Sequence, residues 1–471
     1  MDERFGGPGF LFILFILLSV SCNACGANQE SYSSLTIFPE KVVQKESFLG
    51  FGAEWDPPGY VASRLTDEDF RKIIKRIEWM RLPLVRVMMQ SRWCYKGDGE
   101  FDWNSKDMLS LYRILSICKK QNISVYLTDW GVERKGLRVP GVFNCADEQY
   151  AKIITQYIIY LQRTKGYYNI KKFIFGNEPN HEVGSWNRWK KGFENLVSEF
   201  ERIGSTKNID IVGSDTSDPM WHIKTVQQLD RFIDIYSIHK YVKKRDILNG
   251  DFFDDLKIYW SYVHQNDNSV SLKPVMITEA GIRDGSKPPK GNTKIDTVEY
   301  GLLMADYAIQ AVNAGTNAVF AWMLDDNSHI GFYWGMWENK KNKLRLRPWF
   351  YPWSLLTRFI QPNSTIYSVE KLRDNARVLV SSINRNGRIF WNICIVNHGE
   401  EFLLNFKIKS GVITKFNKYI FRQGKAKKNN DGFPVPVKKI MINLDAGGDV
   451  LIKKNSFIFL TSEVEENILS H

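Results

Sequence analysis

Between Phe48 and Met323 the chain alternates eight short apolar or β-branched runs with seven longer amphipathic ones. The strand candidates are Leu49–Ala53, Leu84–Met88, Ser124–Thr128, Lys172–Gly176, Asp210–Gly213, Ile233–Ser237, Pro274–Thr278 and Ala318–Trp322. Helical patterns fall between them, from Asp67–Met80 to Thr297–Ala314, several opened by Asp, Ser or Thr caps. Strands that read as continuous apolar runs are buried on both faces, as in a parallel sheet covered by helices. Two architectures satisfy this: a doubly wound open sheet and a (β/α)8 barrel. The open sheet would need a Gly-rich phosphate turn after its first strand. Here that strand runs into Ala53-Glu54-Trp55-Asp56-Pro57-Pro58. The barrel, residues 48–362, is the expected fold.

After Pro362 the texture becomes that of an all-β module. Strand patterns at Thr365–Glu370, Ala376–Ser382, Arg388–Val396, Glu401–Ile408, Thr414–Phe421, Lys438–Leu444 and Val450–Leu460 are separated by turns such as Asn386-Gly387. Residues 363–471 are therefore expected to form a smaller β-sandwich. Within residues 28–47, Ser34–Phe38 and Lys41–Lys45 are strand-like and are candidates to join it. The first 27 residues read as a signal peptide: Phe10–Val20 is an unbroken apolar run, too short to span a bilayer, with small residues after it. Export to a secreted, periplasmic or cell-surface location is the expectation. Cys22 is a candidate for lipid attachment, and an uncleaved membrane anchor is the alternative. Only Cys94, Cys118, Cys145 and Cys394 follow the leader, none in a C-x-x-C pair; Cys94 and Cys145 are candidates for a bridge in an oxidising compartment.

Barrels of this kind carry chemistry at the C-terminal ends of their strands. In order, those ends offer Glu54-Trp55, Arg86, Asp129-Trp130, Asn177-Glu178, Ser214-Asp215, His239 with Tyr241, Glu279 and Trp322. Glu178 closes the fourth strand and Glu279 the seventh, so both would point into one cleft. Two carboxyl groups flanking a scissile bond are what glycoside hydrolysis requires, with retention of configuration when they lie roughly 5–5.5 Å apart.

With Asn177-Glu178-Pro179 on strand four and Glu279 on strand seven, the sequence resembles the clan A glycoside hydrolases from Phe48 to about Pro348. The appended sandwich is similar to that of the clan's β-xylosidase, α-L-iduronidase and glucuronidase-like branches. The resemblance implies a retaining glycosidase acting on an oligo- or polysaccharide, without a cofactor or metal. Glu178 would be the general acid/base and Glu279 the nucleophile, with Asn177 on the sugar 2-hydroxyl. Arg86 would hold the nucleophile ionised, His239-Lys240-Tyr241 would match the clan's H-x-Y element, and Trp322 its aromatic floor. On this reading the nucleophile has a lowered pKa and the acid a raised one. Glu54, Trp55, Trp93, Asp129, Trp130, Trp186 and Trp334 are further candidates to bind sugar hydroxyls or stack on sugar faces, Asp129 foremost among the acids.

Two other functions use the same residues: a transglycosylase, and a catalytically silent carbohydrate-binding barrel. The net charge of +12 raises the question of an anionic partner. From Thr365 to His471 there are 17 Lys/Arg against 10 Asp/Glu, which the strand pattern spreads out. A solvated basic face, with no nucleic-acid partner, is the expectation.

Overall fold

The computed structural model describes residues 32–57, 65–204, 209–269, 271–287, 291–326, 332–409 and 413–463. The expected leader lies outside them. Two short strands, β1 (Tyr32–Ile37) and β2 (Val42–Gln44), open the described chain. Eight parallel strands then close into a barrel: β3 (Gly50–Glu54), β4 (Leu84–Met89), β5 (Ser124–Asp129), β6 (Ile170–Phe175), β7 (Asp210–Thr216), β8 (Ile235–Val242), β9 (Val275–Ile282) and β10 (Ala318–Ala321). Its interior is packed, with Leu84, Tyr126, Ile174, Val212, Ile235, Met276, Ala318 and Phe320 in one buried cluster. On β3 the place for such a side chain is taken by Gly52. A Cβ there would lie 2.3 Å from Leu84 Cδ1 and 2.7 Å from the Leu84 carbonyl oxygen, so any larger residue would push β3 off β4.

The outer ring is α1 (Asp67–Met80), α2 (Lys106–Lys120), α3 (Glu148–Ile159), α4 (Trp186–Arg202), α5 (Pro219–Leu229), α6 (Asp251–Asn266), α7 (Val298–Asn313) and α8 (Phe350–Phe359). The first begins at a reciprocal cap, Thr66 Oγ1 accepting from Asp69 N–H while Asp69 accepts from Thr66 N–H. The eighth was not expected from the sequence, because all ten of its residues are buried and leave no amphipathic period to read. Its first turn holds Pro352, where a missing N–H costs no helical bond. Inward, Trp353 Nε1 donates to the Gly52 carbonyl at 3.3 Å; outward, Tyr351 stacks on Phe421 and Phe359 packs on Phe459.

Those outward partners belong to the second domain, whose strands are β11 (Thr365–Tyr367), β12 (Ala376–Arg385), β13 (Arg388–Asn397), β14 (Phe402–Ile408), β15 (Ile413–Arg422), β16 (Lys425–Ala426), β17 (Lys438–Asn443), β18 (Gly448–Ile452) and β19 (Ser456–Thr461). The large sheet runs β2-β11-β12-β13-β19-β15-β16, with β17 also paired to β15; the small one is β1-β14-β18. One face of the large sheet meets the small sheet through Val378, Val380, Ile393 and Ile458. Its other face, with Leu379, Val396, Phe457 and Phe459, merges with the barrel core. The run Val450–Leu460, read as one strand, is two strands in different sheets, parted by a turn in which Asn455 has φ 48°. Both N-terminal strands are built into the sandwich, β1 parallel to β14 and β2 antiparallel to β11. All four described cysteines are free and buried, so Cys94 and Cys145 are not bridged.

Candidate active site

Register brings the charged strand ends together. Glu54 on β3 lies directly beside Arg86 on β4, and His239 on β8 directly beside Glu279 on β9. Arg86 is fully buried, and its guanidinium is the hub. Its Nη1 donates to Glu54 Oε2 at 2.8 Å and to Glu279 Oε1 at 3.1 Å; its Nη2 donates to Asn177 Oδ1 at 2.8 Å and to Asp215 Oδ2 at 2.5 Å. Asp215 also accepts from Thr278 Oγ1 at 2.5 Å and lies 3.2 Å from His239 Nε2. The other imidazole nitrogen, Nδ1, sits 3.1 Å from Glu178 Oε1 and 3.4 Å from Glu279 Oε2. Two oxygens sharing one nitrogen at those distances are at most about 6.5 Å apart. Tyr241 closes the far side, its hydroxyl donating to Glu279 Oε2 at 2.8 Å.

Backbone geometry contributes as well. Glu178 has φ 44°, a left-handed conformation uncommon for a side chain of this kind, and its N–H donates to the Asp215 carbonyl at 3.0 Å. That turn caps the short helix Pro179–Glu182 and leaves the Glu178 side chain 27% exposed, against 8% for Glu279. Glu178 is thus the more open of the two carboxylates.

The site holds four carboxylates against one guanidinium and one imidazole, and their proton affinities divide sharply. Burial works against the charge on Arg86, but Asp215, Glu54 and Glu279 outweigh it and raise its pKa. Burial would likewise discharge His239, yet Glu279 and Asp215 push it up to about 10. Asp215 is buried too, but Arg86 and His239 hold it well below the ordinary carboxylate range. Glu54 goes the other way: burial raises it to about 8 despite Arg86.

For the central pair the directions are opposite to those expected from the sequence. Burial lifts Glu279 above its ordinary value, although His239 and Arg86 oppose the rise. Burial also acts on Glu178, but the hydrogen bond and charge of His239 prevail and lower it. His239 Nδ1 lies closer to Glu178 than to Glu279, 3.1 against 3.4 Å, and its influence prevails over burial only at Glu178.

The remaining candidates divide by exposure. Trp322 is half-buried beside Phe332, and Trp130 is also half-buried, so each keeps a surface for a ligand. Asn177 is held through its Oδ1, and its amide nitrogen makes no hydrogen bond among the described residues. Trp55 is fully buried, as are Trp93 at 2% and Trp334 at 5%; these rings pack the walls and do not offer a stacking face. Trp186 packs on Trp189 and Trp221. Asp129 is fully buried, accepts a hydrogen bond from the Tyr150 hydroxyl and is raised by burial to about 7, so it braces β5 and is closed to a sugar hydroxyl. Glu54 serves Arg86 in the same way. Asp215, one of the strand ends and without an assigned role in the sequence, joins Arg86 to His239. Its Asp identity at the C-terminal end of the fifth strand was the available signal. Among the described residues no side-chain cluster is arranged to hold a metal ion.

The expected fold, a TIM barrel with a β-sandwich, recurs in solved structures over nearly the whole chain. A GH30 endoxylanase from Clostridium papyrosolvens C71 matches with a TM-score of 0.66 at 12% identity, covering 92% of this chain and 100% of its own. An α-L-arabinofuranosidase from Thermotoga maritima, solved with arabinose, matches at 0.65 and 12%, covering 92% and 100%. A monomeric β-xylosidase from Caulobacter crescentus CB15 matches at 0.64 and 11%, covering 91% and 99%. At such identities the likeness is one of fold. No family model matches the sequence, and no curated protein matches it significantly.

Proposed function

We propose that this chain is a retaining O-glycoside hydrolase that acts on an extracellular glycan by double displacement. The observation that carries the reading is the convergence of Glu178 and Glu279, from opposite strands, on one imidazole nitrogen, with their oxygens at most about 6.5 Å apart. That limit is compatible with the roughly 5–5.5 Å of a retaining pair and reaches only the lower end of the roughly 6.5–9.5 Å of inverting enzymes, which supports the retaining reading. Glu279, oriented by Arg86 Nη1 and the Tyr241 hydroxyl, attacks the anomeric carbon while Glu178 gives its proton to the departing oxygen. In the second half Glu178, now ionised, takes a proton from water, and the hydroxide formed displaces Glu279 from the sugar. Asn177, fixed by Arg86, presents its amide to the sugar, and Trp322 offers a stacking surface.

The resting bias toward an ionised Glu178 is reversed when substrate binds, because a sugar in the cleft excludes water from the more exposed carboxylate and favours its neutral form. The test is a panel of nitrophenyl glycosides, beginning with xyloside and arabinofuranoside because the structural neighbours are named for those sugars. Galactoside, glucoside, fucoside and glucuronide complete it. Cleavage with the first-formed anomer matching the substrate is the expected result, and an inverted first product would exclude the double displacement.

A second expectation concerns pH. His239 keeps its proton well past neutrality, so it acts on both carboxylates as a positive charge that favours their ionised forms. Removing it should raise both. His239→Gln should therefore move both limbs of the kcat/KM profile to higher pH: the acid limb, where Glu279 must ionise, and the alkaline limb, where Glu178 must stay protonated. Limbs that stay in place would mean the imidazole is neutral in the working enzyme.

A further inference from the structure

The basic excess of the second domain is concentrated in one stretch of sequence and not dispersed over the domain. Residues 413–443 contain eight Lys/Arg and a single acid, Asp431, a net of +7 that equals the whole excess from Thr365 to His471. Asp431 is paired with Lys75 of the barrel. Among the described residues no ion pair involves any of the eight.

Register arranges four of these cations on one face. In β15 and its neighbours Lys418 stands directly opposite Lys438, and Arg422 directly opposite Lys425. Residues four apart on a strand share a face, so the two pairs form a row with about 13 Å between them. Like charges directly opposed across strands destabilise a sheet, and here two such pairs lie on one edge. Lys418 adds a further cost. It is only 5% exposed and sits on the same face as Phe416 and Leu460, with no carboxylate to pair with. Burial, then the charge of Lys438, pushes it down to about 8. A fold carries an unpaired buried ammonium at a net loss unless something else supplies the counter-charge.

From this row we infer that the β15–β17 hairpin binds an acidic polysaccharide, one bearing carboxylate or sulfate groups along an extended chain. Two cation pairs set about 13 Å apart along a strand fit repeated charges on a polymer better than a single anion. The aromatic residues of the hairpin, Phe416, Tyr419, Phe421 and Phe433, are all buried, so there is no platform on which nucleobases could stack. The cations lie on strands, without the amphipathic helix that would seat them on a bilayer. This site shares no residue with the barrel cleft and does not depend on the catalytic reading.

The test uses the full chain, with polygalacturonate and dextran sulfate as probes for the two anionic groups. Neutral xylan, duplex DNA and phosphatidylglycerol vesicles are the comparisons. Binding to one or both acidic polysaccharides, weakening steeply with salt, is expected. The exposed pair Lys425→Gln/Lys438→Gln should lower affinity by about tenfold or more and the log–log salt slope by about two. Lys152→Gln/Lys224→Gln, on the barrel helices, should change neither. Lys418→Met should weaken binding while raising the melting temperature, since it removes a charge the fold buries unpaired. Three results would overturn the inference: no binding to either acidic polysaccharide, equal binding by the hairpin variants, or tighter binding to DNA or vesicles at the same salt. Glycosidase assays are scored separately, so a protein inactive on every glycoside still tests this site.

Discussion

Glu279→Ala is expected to lose turnover by several orders of magnitude, because the covalent route is removed and not merely slowed. The fold should survive. Without Glu279, Arg86 still has Glu54 at 2.8 Å and Asp215 at 2.5 Å, and His239 still has Glu178 and Asp215. An unchanged melting temperature beside the lost activity would separate chemistry from structure. Azide fits the space vacated by the carboxylate and can attack the anomeric carbon from the same side. On an activated β-glycoside it should restore turnover and give an α-glycosyl azide, with one inversion in place of two. Near-normal activity without azide would move the nucleophile elsewhere.

Glu178→Ala should lose on the order of 10²–10⁴-fold on natural glycosides, whose leaving oxygen needs a proton. A dinitrophenyl glycoside needs none, so its first step should remain nearly intact. The glycosyl intermediate on Glu279 then accumulates, because nothing activates water to release it. The expected trace is a burst of dinitrophenolate followed by a slow phase. Azide should accelerate the slow phase and give a glycosyl azide of retained configuration. Equal slowing of both substrates, with no response to azide, would make Glu178 a substrate-positioning group. The two azide products, α from Glu279→Ala and β from Glu178→Ala, together assign the roles without assuming them.

The barrel was legible because most of its strands carry a short apolar or β-branched run, and that alternation with amphipathic segments survives in a single sequence. Helix α8 was not legible, since covering by the barrel on one side and the sandwich on the other removes the polar face that marks a helix. That Glu178 and Glu279 converge on one cleft could be read from strand order alone. What strand order does not carry is which neighbour donates to which. Glu54 at the end of β3 is a sugar-contact candidate by position, but its oxygen accepts from Arg86, and Trp55 beside it is core. Nor does strand order carry the proton bias, in which the His239 hydrogen bond lowers Glu178 while burial raises Glu279. The clustering of charge in residues 413–443 was in the sequence throughout; counting over the whole domain hid it.

The two strands that precede the barrel set the order of assembly. Leu35 on β1 is in register with Phe406 on β14, and Gln44 on β2 with Ile366 on β11, so the sandwich closes on segments separated by more than 300 residues. During synthesis β1 and β2 emerge ahead of the barrel and have no partner until the entire barrel has followed. Pairings of such long range form late and slowly, because the loop between them must first be brought to order. The barrel is that loop. Its folding brings β1 and β2 to the strands they pair with, and the sandwich is the knot tied afterwards, so a barrel that misfolds leaves two unpaired strand edges exposed.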